Sequence, residues 1–265
     1  MRDFLKGQAY YLKKDSTFRG ISFIFLIAAI VLLTWIGTKV GFDVRNPFQP
    51  LRSAVSFSLF LYFIIPVHAC FFATEGFEYG TLKNIISSGR SRSSYFIGKY
   101  ISEIKVILWW IFQFFGLFYI FYMAAALITG SHIGNNNLRE DMIITISALS
   151  FNILYLAAYA AIVMMAGMLI KRTASAVVVT FVIVFGDFML SGYLKDSSSA
   201  FLQTISKNTL MTQILKFSGG YVIDSQLIGL SDLSEYIRMA LIPILIITIC
   251  LIVTIISFGR SDIHT

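Results

Sequence analysis

The chain has 265 residues, 57% of them hydrophobic and only 13% charged, with a mean hydropathy of +0.78. Soluble domains carry roughly 25% charged residues, so composition excludes a soluble globular fold and leaves little chain for a second domain. The net charge of +7 is spread by position and not gathered in a basic patch, so it calls for no nucleic-acid partner.

Residues 1–19 form the first element. At the helical period Met1, Phe4, Leu5, Ala9, Tyr11 and Leu12 gather on one side, with Arg2, Lys6 and Lys13 opposite. This pattern predicts an amphipathic helix in the membrane interface, its lysines turned to anionic lipid.

Six apolar stretches follow, at 20–38, 53–74, 106–129, 142–170, 176–193 and 239–259, each free of charge except for Asp187 in the fifth. Each is close to the roughly 20 helical residues that cross a hydrocarbon core. The expected fold is an all-α polytopic membrane protein, one transmembrane domain over 1–265. The first stretch has no small-residue cleavage pattern after it and reads as a retained span, not a secretory signal.

Lysine and arginine orient the spans. With the N-terminus inside, the inner segments hold 13 of the 21 basic residues against six acids, net +7, and the outer ones net +1. This bias predicts both termini in the cytoplasm, for a multi-pass protein of the plasma membrane.

In the second span, His68 and Cys70 sit within one turn. Two candidate ligands without a carboxylate or second histidine do not make a metal site, so His68 is expected to be a hydrogen-bonded intramembrane histidine. Cys70 and Cys250 both lie in apolar spans and read as buried thiols.

Between the second and third spans, residues 75–99 are basic and rich in Gly and Ser, too polar to enter lipid. Phe77, Leu82, Ile85 and Ile86 line one side of a predicted short helix. Gly89 is placed to stop it, and Ser93 or Ser94 to cap the next. The result is a hairpin whose tip carries an apolar knob, to be covered by a partner protein or by the chain's own helices and membrane surface.

The third span is crowded with aromatics on all sides, and no cofactor box is read in them. In the fourth, Ala157, Ala158, Ala160, Ala161, Ala166 and Gly167 permit close approach and predict an internal packing helix. Asp187 is expensive at a helix centre, at about 2.5–3.5 kcal/mol on insertion scales. It needs a partner, water, or a route to the outer headgroups.

Residues 195–237 form an outer segment. Asn208 is expected to cap a short helix carrying Leu210, Met211, Ile214 and Leu215, ended by Gly219 and Gly220, and Asp232 with Glu235 suits a capping box for the sixth span. That helix would lie on the outer leaflet or close a pathway from above.

Enzyme signatures are missing. There is no HExxH, no paired intramembrane carboxylates and no Gly-x-Ser-x-Gly, and Gly98-Lys99 lacks the earlier glycine and the hydroxyl residue of a phosphate loop. No catalytic residue, bound metal or cofactor is expected in this chain.

One arrangement is more specific. An acid at the end of span two, a second three residues on, then Gly-Thr-Leu-Lys, an arginine, an aromatic and Gly-Lys entering span three resembles the permease subunits of type 2 ABC exporters. The matching positions are Glu75, Glu78, Gly80, Thr81, Leu82, Lys83, Arg92, Tyr95, Gly98 and Lys99. Many relatives place Pro before the arginine, where this chain has Gly89 and Ser91.

The resemblance implies a coupling helix, with Glu75, Glu78, Gly80, Thr81, Leu82, Lys83, Ile85, Ile86, Arg90 and Arg92 meeting a separate ATP-binding cassette subunit that holds ATP and Mg. It further implies a half-transporter pairing with a second permease copy or paralogue in membrane lipid. Ser56, Ser58, Tyr62 and Asp187 would face its translocation pathway, unless Asp187 snorkels outward. By size and layout the chain looks most like exporters of amphipathic peptides such as bacteriocins. The alternatives are an ion-coupled secondary transporter, or a non-transporting immunity or sensor protein.

Overall fold

The computed structural model describes residues 2–131, 133–134, 137–195, 199–220, 222–223, 226–227 and 233–260. Met1, Asp196, Asp224, Asp232 and Asp262 lie outside them, and with Asp232 the expected capping box. Among the described residues the chain is almost wholly helical, and six helices are long and apolar enough to cross a membrane, the architecture of a multi-pass membrane protein.

Helix α1 spans Arg2–Lys14. Its buried side runs Phe4, Leu5, Gln8 and Leu12, stepped at four residues. Ala9 and Tyr11, expected there, are exposed. The side packs on the bundle, with Phe4 5.8 Å from the ring of Tyr95. The Asp15 carboxylate accepts the Phe18 N–H at 2.9 Å and starts α2, Ser16–Val40, an N-cap that satisfies a donor the helix cannot.

The second span departs from expectation. Instead of one helix over 53–74, the chain forms α3, Gln49–Val55, a 3-10 turn at Ser58–Phe60, and α4, Leu61–Glu78. Pro66, inside α4, does not interrupt it. A left-handed Gly80 leads into α5, Thr81–Ser87, and a left-handed Gly89 leaves it. Helix α6 then runs Arg92–Ile128, capped by Ser91, whose Oγ accepts the Ser94 N–H at 3.2 Å. The cap thus falls before Ser93 and Ser94. Helix α6 begins 14 residues ahead of the expected third span, because Lys99 and Glu103 find partners on α4.

Helix α7, Leu138–Ile170, is the spine of the bundle and packs against α4, α6 and two later helices, α8 (Thr173–Lys195) and α11 (Leu233–Arg260). Its Ala158, Ala160 and Ala161 are fully buried, and a Cβ on Gly167 would meet Thr74 and Ala73 of α4 at 3.1 and 3.3 Å. Small residues bring the backbones together, as the sequence predicts.

Between α8 and α11 lie α9, Ala200–Asn208, and α10, Leu210–Phe217, then a two-residue antiparallel pairing of β1, Val222–Ile223, with β2, Gln226–Leu227. Asn208 ends α9, and Thr209 caps α10 through the Thr212 N–H. The buried face of α10 packs on α7, α8 and α11.

Candidate functional site

The hairpin stands at the end of the bundle where α4 ends and α6 begins. Its apolar side turns inward: Leu82 is buried and Phe77, Ile85 and Ile86 are half-buried against the core. The chain's own helices therefore cover the knob, and the outward face of α5 is Thr81, Lys83, Asn84 and Ser87, beside Tyr79, 74% exposed.

Several ties hold this hairpin. The Lys99 ammonium donates to Glu75 and, at 2.8 Å, to the Phe72 carbonyl, and it lies 3.9 Å from the centre of the Phe72 ring. The charge is buried but multiply partnered, the condition for keeping an ion out of water. Gly76 admits the Tyr95 hydroxyl, which would stand 2.2 Å from a Cβ there. Arg90 stacks over the Phe4 ring at 5.1 Å, and the Tyr11 hydroxyl donates to Glu75 at 3.0 Å. Burial and the Glu75 charge together hold the Tyr11 hydroxyl well above the usual phenol range, so it stays a donor.

Arg92 is a further tie. Its Nη1 donates to the carbonyls of Phe258 and Gly259 at 3.3 and 3.2 Å, placing a cation on the carbonyl end of α11, where the helix dipole favours it. Glu78 accepts the Thr173 hydroxyl at 2.5 Å at the start of α8. Glu75, Glu78, Arg90 and Arg92 thus fasten the hairpin to the bundle, while Lys83 stays on its outward face.

Of the four expected pathway residues, the structure joins Tyr62 and Asp187. The Tyr159 hydroxyl of α7 donates to Asp187, whose Oδ2 also accepts the Met211 N–H of α10 at 3.0 Å. Tyr62 lies 5.9 Å from the Tyr159 ring and donates to Asn152 at 2.9 Å. Asp187 turns inward with these partners, so it does not snorkel to the headgroups. Ser58 is fully buried, and its Oγ has no hydrogen bond among the described residues. Ser56 stands apart, lining an apolar groove of about 660 Å³ with Trp35, Phe57 and Phe60. Tyr159 and Asn152 lack a sequence signal by themselves, but seven residues apart they share a face of α7.

His68 is hydrogen-bonded as expected, its Nδ1 3.0 Å from Glu103 Oε1. Glu103 is wholly buried in α6. The pattern that reveals it is the pairing of His68 and Glu75 on α4 with Glu103 and Lys99 on antiparallel α6. Among the described residues no three His, Cys, Asp or Glu side chains could hold a metal ion, and both cysteines are buried free thiols. No protein-family model matches the chain, and no curated protein matches it.

Proposed function

We propose that this chain is the membrane-spanning subunit of an ATP-driven exporter of the type 2 ABC kind, moving an amphipathic substrate, with a peptide such as a bacteriocin as the best guess. In this reading it lies in the plasma membrane with both termini and the hairpin in the cytoplasm. It pairs with a second permease copy or paralogue and is powered by a separate ATP-binding cassette subunit that holds ATP and Mg. The observation that carries the reading is α5 itself. A short helix set between two left-handed glycines packs on α4, and the residues that flank it are tied to α1, α6 and α11. A push on its outward face would be delivered to the bundle and not absorbed by a flexible loop.

The test is site-specific photocrosslinking from Asn84 in cells that also express an ATP-binding cassette subunit. Adducts with that subunit, lost when Tyr79 and Lys83 are both changed to Glu, are the expected result. Adducts with lipid alone would refute the assignment. A second reading, an ion-coupled secondary transporter, is favoured by the Asp187, Tyr159, Tyr62 and Asn152 array, since intramembrane carboxylates commonly bind coupling ions. Transport that follows an ion gradient and ignores ATP would select it.

A further inference from the structure

The break in the second span borders a groove that the protein leaves open. The groove, of about 660 Å³, has α2 as one wall and the chain around the 3-10 turn at Ser58–Phe60 as the other. Ligand pockets run from roughly 300 to 1,000 Å³. Ala28, Leu32 and Trp35 line the first wall, Phe57 stands edge-on to Trp35 at 5.4 Å, and Phe60 meets Phe114 of α6 at 5.0 Å. Trp35 and Phe57 are exposed on the flank of the bundle, so the groove opens sideways to hydrocarbon. Only the Ser56 hydroxyl and the Trp35 indole are polar among the lining side chains, too few partners to hold ordered water.

One end of this apolar slot is cationic. On α2 the lining row steps Ala28, Leu32, Trp35, and the next residue on that face is Lys39. On the other wall Arg52 lies four residues before Ser56, which keeps helical backbone angles at the end of α3. Phe25 meets Phe60 and Trp35 meets Phe57, so the walls run antiparallel, and both cations stand about one turn beyond the Trp35 contact, away from the hairpin. Lys39 is exposed and has no partner among the described residues. Arg52 gives one arm to Asp141, but its side chain is 52% exposed and keeps further N–H donors. Arg45 and Asp43, in the link between α2 and α3, offset each other, which leaves one net positive charge at the mouth. From Ala28 to Lys39 the row is about 16 Å long at about 1.5 Å per residue, against about 15 Å for half of a hydrocarbon core about 30 Å thick. The slot has the length of one leaflet and a cation where the headgroups begin.

We propose that this groove binds an anionic phospholipid of the leaflet opposite the hairpin, with one acyl chain along Ala28, Leu32 and Phe60 and the phosphate between Lys39 and Arg52. The chain fills the space between α2 and the broken span, and the headgroup answers the charge that the protein leaves unpaired. A zwitterionic lipid offers the same tail but brings its own cation to Lys39, so the headgroup and not the tail sets the preference. The site rests on the membrane-spanning architecture and not on the exporter reading.

The test uses the full chain in phosphatidylcholine vesicles, with Trp35 as the reporter. Its emission is the difference between the protein and W35F, and its quenching is followed as phosphatidylglycerol or phosphatidylcholine brominated along the acyl chain is added. Brominated phosphatidylglycerol should half-quench Trp35 at a mole fraction about fivefold below that of brominated phosphatidylcholine, the ratio equivalent to about 1 kcal/mol for one lysine at an anionic surface. K39E should abolish the preference, while R45E, which reverses an exposed charge off the row, should leave it. Equal quenching by the two lipids overturns the proposal, and so does an equal loss in K39E and R45E, which would reduce the preference to general attraction by a basic surface. A28F narrows the slot and should weaken quenching by both brominated lipids; quenching that A28F leaves unchanged puts the lipid outside the groove and overturns the site. Should A28F not fold, V31F makes the same test from an exposed position of the same wall.

Discussion

At the scale of single residues, Gly76 shows how little room the hairpin has. Its missing Cβ is the space occupied by the Tyr95 hydroxyl, and Leu82 closes the other side, 3.7 Å from where that Cβ would lie. Tyr95 is 1% exposed and packed against Phe4, so it cannot swing away without disturbing α1. G76A is therefore expected to destabilise the protein by about 1–3 kcal/mol, the usual cost of overpacking. Adding Y95F should relieve most of the strain, because the ring carbon that bears the hydroxyl stands 3.4 Å from that Cβ, whereas Y95A should also leave a cavity against Phe4. Thermal unfolding in detergent measures both, and a G76A protein as stable as the parent would show that α4 and α6 can part freely. The sequence alone marks Gly76 as one glycine among 18, because nothing local distinguishes a contact made across two helices.

At the scale of elements, the helices that follow from local chemistry were legible and the interruptions that follow from packing were not. Six apolar runs announce six helices because lipid leaves the backbone no other way to satisfy its donors and acceptors. The caps were less legible, since Thr209 and not the expected Asn208 caps α10, and Asp15 caps α2. The break at 56–60 escapes notice because Ser-Phe-Ser-Leu-Phe is apolar enough to pass as helix. It exists where Phe57 and Phe60 turn to opposite neighbours, Phe57 edge-on to Trp35 and Phe60 edge-on to Phe25 and Phe114. The sequence puts the cap of α6 on Ser93 or Ser94 and it falls on Ser91, but the membrane span is placed only from 106, for the reverse reason. Lys99 and Glu103 end an apolar window, yet each finds its partner on α4, and a charge with a partner does not end a helix. Ser91 fixes that start, so S91A should cost about 1 kcal/mol and fray the first turn of α6. Since Arg92 is the first residue of that turn and holds the end of α11, S91A should also raise amide exchange at 258–260, while S94A, without that side-chain acceptor, should do so much less. Hydrogen exchange read by mass spectrometry distinguishes the two variants.

At the scale of the whole molecule, the bundle is tied separately at its two ends around a spine of small residues. At the hairpin end the ties are Lys99 to Glu75 and Phe72, and Arg92 to α11. At the other end Asp141, at the start of α7, accepts from Arg52 of α3 and from Asn46, the latter at 2.6 Å, and Arg238 of α11 reaches Asn208 of α9. None of these long-range partners could be chosen from the sequence, where any of several acids would have served. K99M leaves Glu75 without its cation and should cost about 3–5 kcal/mol, as removal of one member of a buried pair does. D141N strips Asn46 and Arg52 of a charged acceptor and should cost less, about 1–3 kcal/mol, because the Arg52 side chain is 52% exposed. Sites without shared partners add within about 0.5 kcal/mol, so K99M/D141N should show the sum of the two losses. K99M/E75Q should be more stable than K99M alone, since the second change removes the charge the first left stranded. A large coupling between Lys99 and Asp141 in this cycle would mean that the two ends move as one unit, and that the hairpin is wired through α7 to the far side even without a partner.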